Sequence, residues 1–187
     1  MNDPPANLDH SLDRTRSYLL LLARMQLDAR ARTKIDPSDV VQQTLLEAHA
    51  KQKQFSGDEA GLLAWLRHAL VNNLRDAWRA LRRERRDLAR EQSIEAAIDA
   101  SSSRLASWLA AAQSSPSRQA VRHEDVLRLT DALTLLPDAQ REAIVLHHLQ
   151  DWSLAETARQ LDRSDAAVAG LVHRGLKRLR ELMQDTE

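Results

Sequence analysis

The sequence predicts an all-α protein: two small helical domains joined by a partly helical linker, the C-terminal one a helix-turn-helix. Three observations carry this. Gly and Pro number only 4 and 5 in 187 residues, too few for the turns of a β-rich or loop-rich fold. Ala, Leu, Arg, Gln and Glu dominate, all good helix formers. Apolar residues recur at 3.6-residue spacing between recognisable caps. Hydrophobic content is 43%, enough for a core, although aromatics are only 3%.

Residues 1–9, with Pro4-Pro5, are expected to be a disordered lead. A first helix is expected over about residues 11–32, burying Leu12, Leu19, Leu22 and Met25 with Tyr18 beside them. Asp36-Pro37-Ser38-Asp39 starts a second. Asp36 suits the N-cap, Pro37 the first helical position, and Asp39 puts negative charge in the first turn. Val41, Leu45 and Ala48 then face inward. Asp39, Gln42, Gln43 and Glu47 form a polar, weakly acidic outer face. Phe55-Ser56-Gly57-Asp58 breaks the pattern as a loop with the chain's only Phe, which reads first as an anchor to the core. The longest helix is expected from about residue 59 to 86 or beyond, with Leu62, Leu66, Ala69, Leu70, Asn73, Ala77 and Leu81 as its stripe.

Formal net charge is zero, but the charge is unevenly placed. Between Arg67 and Arg90 eight arginines stand against three acids. Arg75, Arg79, Arg82, Arg83 and Arg86 fall at spacings that share one helix face. Like charges so placed repel by a few tenths of a kcal/mol per pair, roughly. A polyanion partner would offset that through counterion release; a solvated face paired with Glu84 and Asp87 is the plainer alternative.

From residue 88 to 122 the chain turns Ser- and Ala-rich. It is expected to be a linker with short helices near 91–100 and 105–112, and Trp108 argues that it docks. A second domain starts near His123. VLRLTDALTLL is amphipathic, Pro137 ends it or starts the next helix, and Ala143, Ile144, Leu146 and Leu149 face inward. SLAETARQLDRSDAAVAGLVHRGLKRLR, from Ser153 to Arg180, then reads as two helices around a tight turn. Ser153 and Glu156 make a capping box. Leu154, Ala155, Ala158 and Leu161 give the first helix its small apolar face. Asp162-Arg163 is the turn, and Ser164 caps the second helix. There Val168, Leu171, Val172, Leu176 and Leu179 face inward, with His173, Arg174, Lys177, Arg178 and Arg180 on the other side. One buried and one basic stripe is the sequence form of a DNA-reading helix-turn-helix.

Other chemistries find no support. With no Cys, disulfides, thiol catalysis and Cys-based zinc sites are excluded. His147 and His148 project about 100° apart on a helix and do not easily share an ion; no metal or cofactor is expected. Four glycines build no phosphate loop, and no nucleophile setting accompanies the Ser, His and Asp residues. No apolar run suits a signal peptide or membrane span, so the expectation is a soluble, cytoplasmic, non-enzymatic protein that is a monomer when free.

Two stretches together resemble the sigma-70 family, specifically its extracytoplasmic-function group. SDVVQQTLLEAHA, Phe55 and WLRHALVNNLRDAWRALRR are similar to that family's domain 2, with Trp65, Leu66, Asn72, Asp76 and Arg79 at matching spacings. LLPDAQREAIVLHHLQDWSLAETARQLDRSDAAVAGLVHRGLKRLREL is similar to its domain 4. The resemblance implies domain 2 over 10–87, a linker over 88–123 and domain 4 over 124–184. It implies that Asp39, Gln42, Gln43, Leu46 and Glu47 bind the β′ clamp helices of core RNA polymerase, with further contacts to the β subunit. Phe55, Ser56, Gly57, Asn72, Arg75, Arg79, Arg82 and Arg83 would engage the −10 promoter element. A base held out of the stack suits such a loop. Ser164, Asp165, Ala166, Ala169, Gly170, His173, Arg174 and Lys177 would engage the −35 element, and the linker would thread near the RNA exit path. An anti-sigma factor is a further partner that the resemblance allows.

The chain departs from the family pattern at Gln43 and Leu45, where Glu and Phe are common. It departs again at Ala169-Gly170-Leu171, where basic or polar residues are common. Two rival readings stand beside a sigma factor. One is a standalone helix-turn-helix regulator that needs no polymerase; the other is an adaptor making protein contacts only.

Overall fold

The computed structural model describes residues 8–55, 58–81, 88–112 and 123–184. Every regular element among them is helical, and they form two compact units, Met1–Ser102 and Ser103–Glu187.

The first unit contains α1 (Leu8–Gln26), α2 (Ala29–Arg32), α3 (Pro37–Ala50), α4 (Glu59–Leu81) and the start of α5 (Leu88–Ala112). Helices α1, α3 and α4 pack on one another around Tyr18, Leu19, Leu22, Val41, Leu62, Leu66, Leu70 and Leu74, all buried. The single first helix expected over 11–32 is instead two. The carboxylate of Asp28 accepts from the Ala31 backbone N–H at 2.7 Å, which caps α2 and restarts the helix. The start of α3 is as expected, with Asp36 accepting from Ser38 N–H at 2.8 Å and Pro37 opening the helix. Its buried face is Val40, Val41, Thr44 and Ala48, with Leu45 half-buried. Thr44 Oγ1 donates to the Val40 carbonyl and accepts from Asn73 Nδ2 at 3.2 Å, tying α3 to α4.

Asp58 caps α4 by accepting from Gly61 N–H at 2.9 Å. The buried stripe also takes in Leu63, Val71 and Leu74, whereas Leu81 is exposed. Helix α4 was expected to be the longest, but among the described residues its 23 residues are exceeded by the 25 of α5, because the serine-rich stretch continues as helix.

Where two short helices were expected in 88–112, the chain forms one. Ser101-Ser102-Ser103 does not break it, and the buried Ser101 hydroxyl is satisfied within the helix by donating back to the Ala97 carbonyl at 2.8 Å. Ile94, Ile98, Ser101, Leu105 and Leu109 form its buried face. The division between units falls inside this helix, so 88–102 counts with the first unit and 103–112 with the second.

The second unit adds α6 (His123–Thr134), α7 (Asp138–Ile144), α8 (Leu154–Leu161) and α9 (Asp165–Gln184). Helix α9 packs on α6, α7 and α8. Leu127, Leu133, Ala143, Ile144, Leu149, Ala158 and Val168 fill the interior. Pro137 sits at the N-cap of α7. After Ile144 the helix widens over Val145–Leu149, where Gln150 N–H reaches the Val145 carbonyl at 3.0 Å. Such wide turns insert a residue and re-aim the side chains that follow.

Candidate nucleic-acid interface

The helix-turn-helix of the second unit is built by local hydrogen bonds. Glu156 N–H donates to Ser153 Oγ at 3.2 Å, and the Ser153 N–H and hydroxyl donate to the Glu156 carboxylate at 2.8 and 2.6 Å. The hydroxyl and then the backbone N–H of Ser153 hold that carboxylate below the usual range. Helix α8 ends at Asp162, which takes the left-handed conformation at φ 52°, tolerated by Asp. Ser164 Oγ then accepts from Ala167 N–H at 3.2 Å and opens α9. Ala143, Ala158, Val168 and Val172 form the buried seam, with Leu154, Leu161, Leu171 and Leu176 against it. Ala155, expected inward, is exposed; Thr157 is the buried residue instead, its hydroxyl donating to the Ser153 carbonyl at 3.0 Å. The reason is phase: Thr157 and Ala158 lie on the side of α8 facing α9.

The outer face of α9 carries its expected groups. Ser164, Asp165, Ala166, Ala169, His173, Arg174 and Lys177 are exposed and Gly170 is half-buried. Arg178 pairs with Glu181 at 3.1 Å. Arg174, Lys177 and Arg163 have no side-chain partner among the described residues, which leaves three cations available to phosphate. Arg163 was not among the expected contacts. Its place in the turn just before the Ser164 cap was the signal.

In the first unit, Asp39, Gln42 and Gln43 are exposed and Glu47 is half-buried, accepting from Gln43 Nε2 at 2.7 Å. Leu46 is 58% exposed. It lines a shallow groove between α1 and α3 with Leu12, Leu45, Gln42 and His49, rimmed by Asp13 and Arg16. Asn72 is exposed on α4, while its neighbour Asn73 is spent on Thr44. Phe55 stacks on Trp65, ring centroids 5.5 Å apart, and so is anchored to α4.

The arginine face is less uniform than its spacing suggests. Arg75 is turned to α5, its Nη2 3.0 Å from Glu95 Oε2, with only 18% of its side chain exposed. Glu95 also faces His68 at 3.5 Å, and Asp99 faces Arg67 at 3.4 Å. Tyr18 Oη and Gln26 reach Ser102 and Ser101 on the same helix. Arg79 is half-exposed beside Asp76 at 2.9 Å. Ser56, Gly57, Arg82 and Arg83 lie outside the described residues, as does Arg86.

Trp108 docks within its own unit, stacked on His148 with centroids 5.6 Å apart and planes 13° from parallel. The wide turn after α7 brings His147 and His148 together, and His147 Nδ1 lies 2.7 Å from the Trp152 carbonyl. Arg104 and Asp151 flank the cluster at 3.7 Å. No group of acids and histidines among the described residues is arranged to hold a metal ion. Burial, and then the neighbouring His147, lower the His148 pKa. The unfolded chain therefore binds more protons than the folded one between that lowered value and about 6.5, so stability rises with pH in that window. Thermal melts across this range should show wild type losing Tm as the pH falls below about 6.5, more steeply than His148→Phe, which keeps a ring but cannot be protonated. Parallel curves would remove His148 as the source.

The second unit matches the family model for sigma-70 region 4 over residues 127–179, the span from α6 into α9. The RNA polymerase sigma-E factor of Streptomyces avermitilis is 28% identical over 153 residues, covering 82% of this chain and 74% of that protein. The ECF RNA polymerase sigma factor SigX of Bacillus subtilis is 41% identical over 69 residues, 37% of this chain and 36% of that one. Among solved structures, the sigma factor RpoE of Bartonella quintana, crystallised with the anti-sigma factor NepR, is 21% identical, with 95% and 96% coverage and a TM-score of 0.36. Residues 127–179, built as a capped helix-turn-helix, thus carry sigma-70 region 4, and similarity to RNA polymerase sigma factors, those of the extracytoplasmic-function group among them, runs through both units of the chain.

Proposed function

We propose that this protein is a transcription initiation factor that binds core RNA polymerase, directs it to a promoter subset and assists opening at the −10 element. The observation that carries this reading is that similarity to sigma-E factors extends over 82% of the chain and so spans both units. A standalone duplex-binding regulator would need only the second. The groove beside Leu46 would receive the β′ clamp helices, with β contacts elsewhere. Asn72, Arg79 and the Phe55 loop would engage the −10 strand, and α9 would read the −35 duplex. The protein has no catalytic step of its own, and its place of action is the cytoplasm, where polymerase is. Among the described residues no helix is long and apolar enough to cross a membrane. An anti-sigma factor is a candidate partner in this scheme.

Run-off transcription with purified core polymerase on a panel of promoters tests the reading. Absence of core binding at micromolar concentration would remove it. Duplex binding by the protein alone that survives deletion of residues 1–90 would favour the standalone regulator. Asn72→Ala should lower open-complex formation by at least about tenfold, on the scale of a lost base contact, while leaving core affinity unchanged. Equal loss of both would contradict the strand-contact role.

A further inference from the structure

We propose that Gly170 is a positioning residue for Arg174, and that through it Gly170 sets the base preference of α9 at one position of the duplex. The inference rests on the reading of α9 as the −35 contact.

Glycine inside a helix costs roughly 1 kcal/mol relative to alanine. Gly170 lies in the second turn of α9 with ordinary helical backbone; no glycine among the described residues has positive φ. Backbone geometry therefore does not demand it. The surroundings make use of it. A Cβ at residue 170 would lie 3.1 Å from Arg174 Nη1 and 3.7 Å from both Cζ and Nη2, and these guanidinium atoms are its three nearest neighbours. The fork of Arg174 rests on the bare backbone of Gly170.

This is the expected lean of a helical side chain. Cβ bonds tilt toward the N-terminus, so residue i+4 folds back over residue i. Arg174 has no ion pair or hydrogen bond among the described residues, whereas Arg178, one turn later, is steered by Glu181. The guanidinium lies where a side chain at residue 170 would crowd it, so the missing Cβ is what admits this position. This lean carries the cation about one turn nearer the N-terminal end of α9, the end that enters the major groove in a helix-turn-helix. There a guanidinium can bond guanine O6 and N7 together, which requires a fixed plane. Ala166 and Ala169 beside it bring no hydrogen-bonding side chain.

Alanine at 170 fits the helix, because the far end of a flexible side chain can give way. The fork would stand off by a few tenths of an ångström and lose its plane. Stability and recognition should therefore move in opposite directions. The experiment uses holoenzyme assembled from core polymerase and the full chain, with duplexes randomised across the upstream element, and reads base preference by position. Wild type should prefer guanine at one position. Gly170→Ala should flatten that preference by about three- to tenfold, part of what one bidentate contact provides, with a Tm equal to or above wild type. Arg174→Ala should flatten the same position, and the double variant should be no worse than Arg174→Ala. An effect of Gly170→Ala that persists in the Arg174→Ala background, or spreads over all positions, would overturn the positioning role while leaving α9 as the reader. Preference untouched by Arg174→Ala would overturn both.

Discussion

Gly175→Val should unfold the second unit at lower temperature, with a loss of about 3 kcal/mol or more. Two glycines lie five residues apart in α9, and they do different things. A Cβ at Gly175 would meet Ile144 Cδ1 at 2.7 Å, Gln140 Cβ at 3.2 Å and Ile144 Cγ1 at 3.5 Å. Gly175 and Ile144 are both buried. Helix α9 thus approaches α7 so closely that only a hydrogen fits. Gln140 Cβ is fixed to its backbone, so relief requires the helices to part. Overpacking of this kind costs typically about 1–3 kcal/mol, and valine adds two methyls beyond the first clashing carbon. Alanine would recover roughly 1 kcal/mol of helix propensity, so Gly175→Ala should be milder. Chemical denaturation monitored by circular dichroism checks the pair. A Gly175→Val protein that melts like wild type would mean the approach of α7 to α9 is looser than described. Parting these helices would also tilt α9, so promoter binding should fall with stability, the opposite pattern to that expected at Gly170.

What the sequence made legible follows from range. Caps act within four residues, and the capping box at Ser153, the Asp36-Pro37 start and the Ser164 cap all read directly from adjacent letters. Periodicity identified the inward residues of α7 and the core of α9 for the same reason. The break at Asp28 was missed because an Asp inside an apolar pattern can equally face solvent. The continuity of α5 was missed because three serines read as a linker until each hydroxyl's partner is known. Glu95 gave no sign that it would hold Arg75, 20 residues away, since an ion pair across helices has no period. The two glycines of α9 were indistinguishable as letters; only the neighbours of each missing Cβ separate them. For the candidate site, exposure of the α3 and α9 groups was readable as the complement of the buried stripe. Which cations are already paired was not.

Leu46→Asp should weaken binding to core polymerase by about 30-fold or more while changing stability by less than about 0.5 kcal/mol, if the groove beside α3 is the polymerase contact we propose. Leu46 is 58% exposed, so the folded state buries little of it and loses little when it is replaced. Yet it stands in a groove with Leu12 and Leu45 beneath and Asp13, Arg16, Gln42 and His49 around. An apolar anchor inside a polar rim is the usual form of an energetic centre in a protein interface. A carboxylate there would be buried without a partner on binding, so the penalty exceeds the lost apolar area. Gln43 and Glu47, already bonded to each other on the exposed side, should matter less when changed singly. Titration of labelled protein with core polymerase reads the affinity, and a thermal melt confirms the fold. Unchanged core affinity in a folded Leu46→Asp protein would move the contact to another face. Lost core affinity with intact duplex binding by the second unit would separate the two activities along the boundary at residues 102 and 103, as a two-unit initiation factor requires.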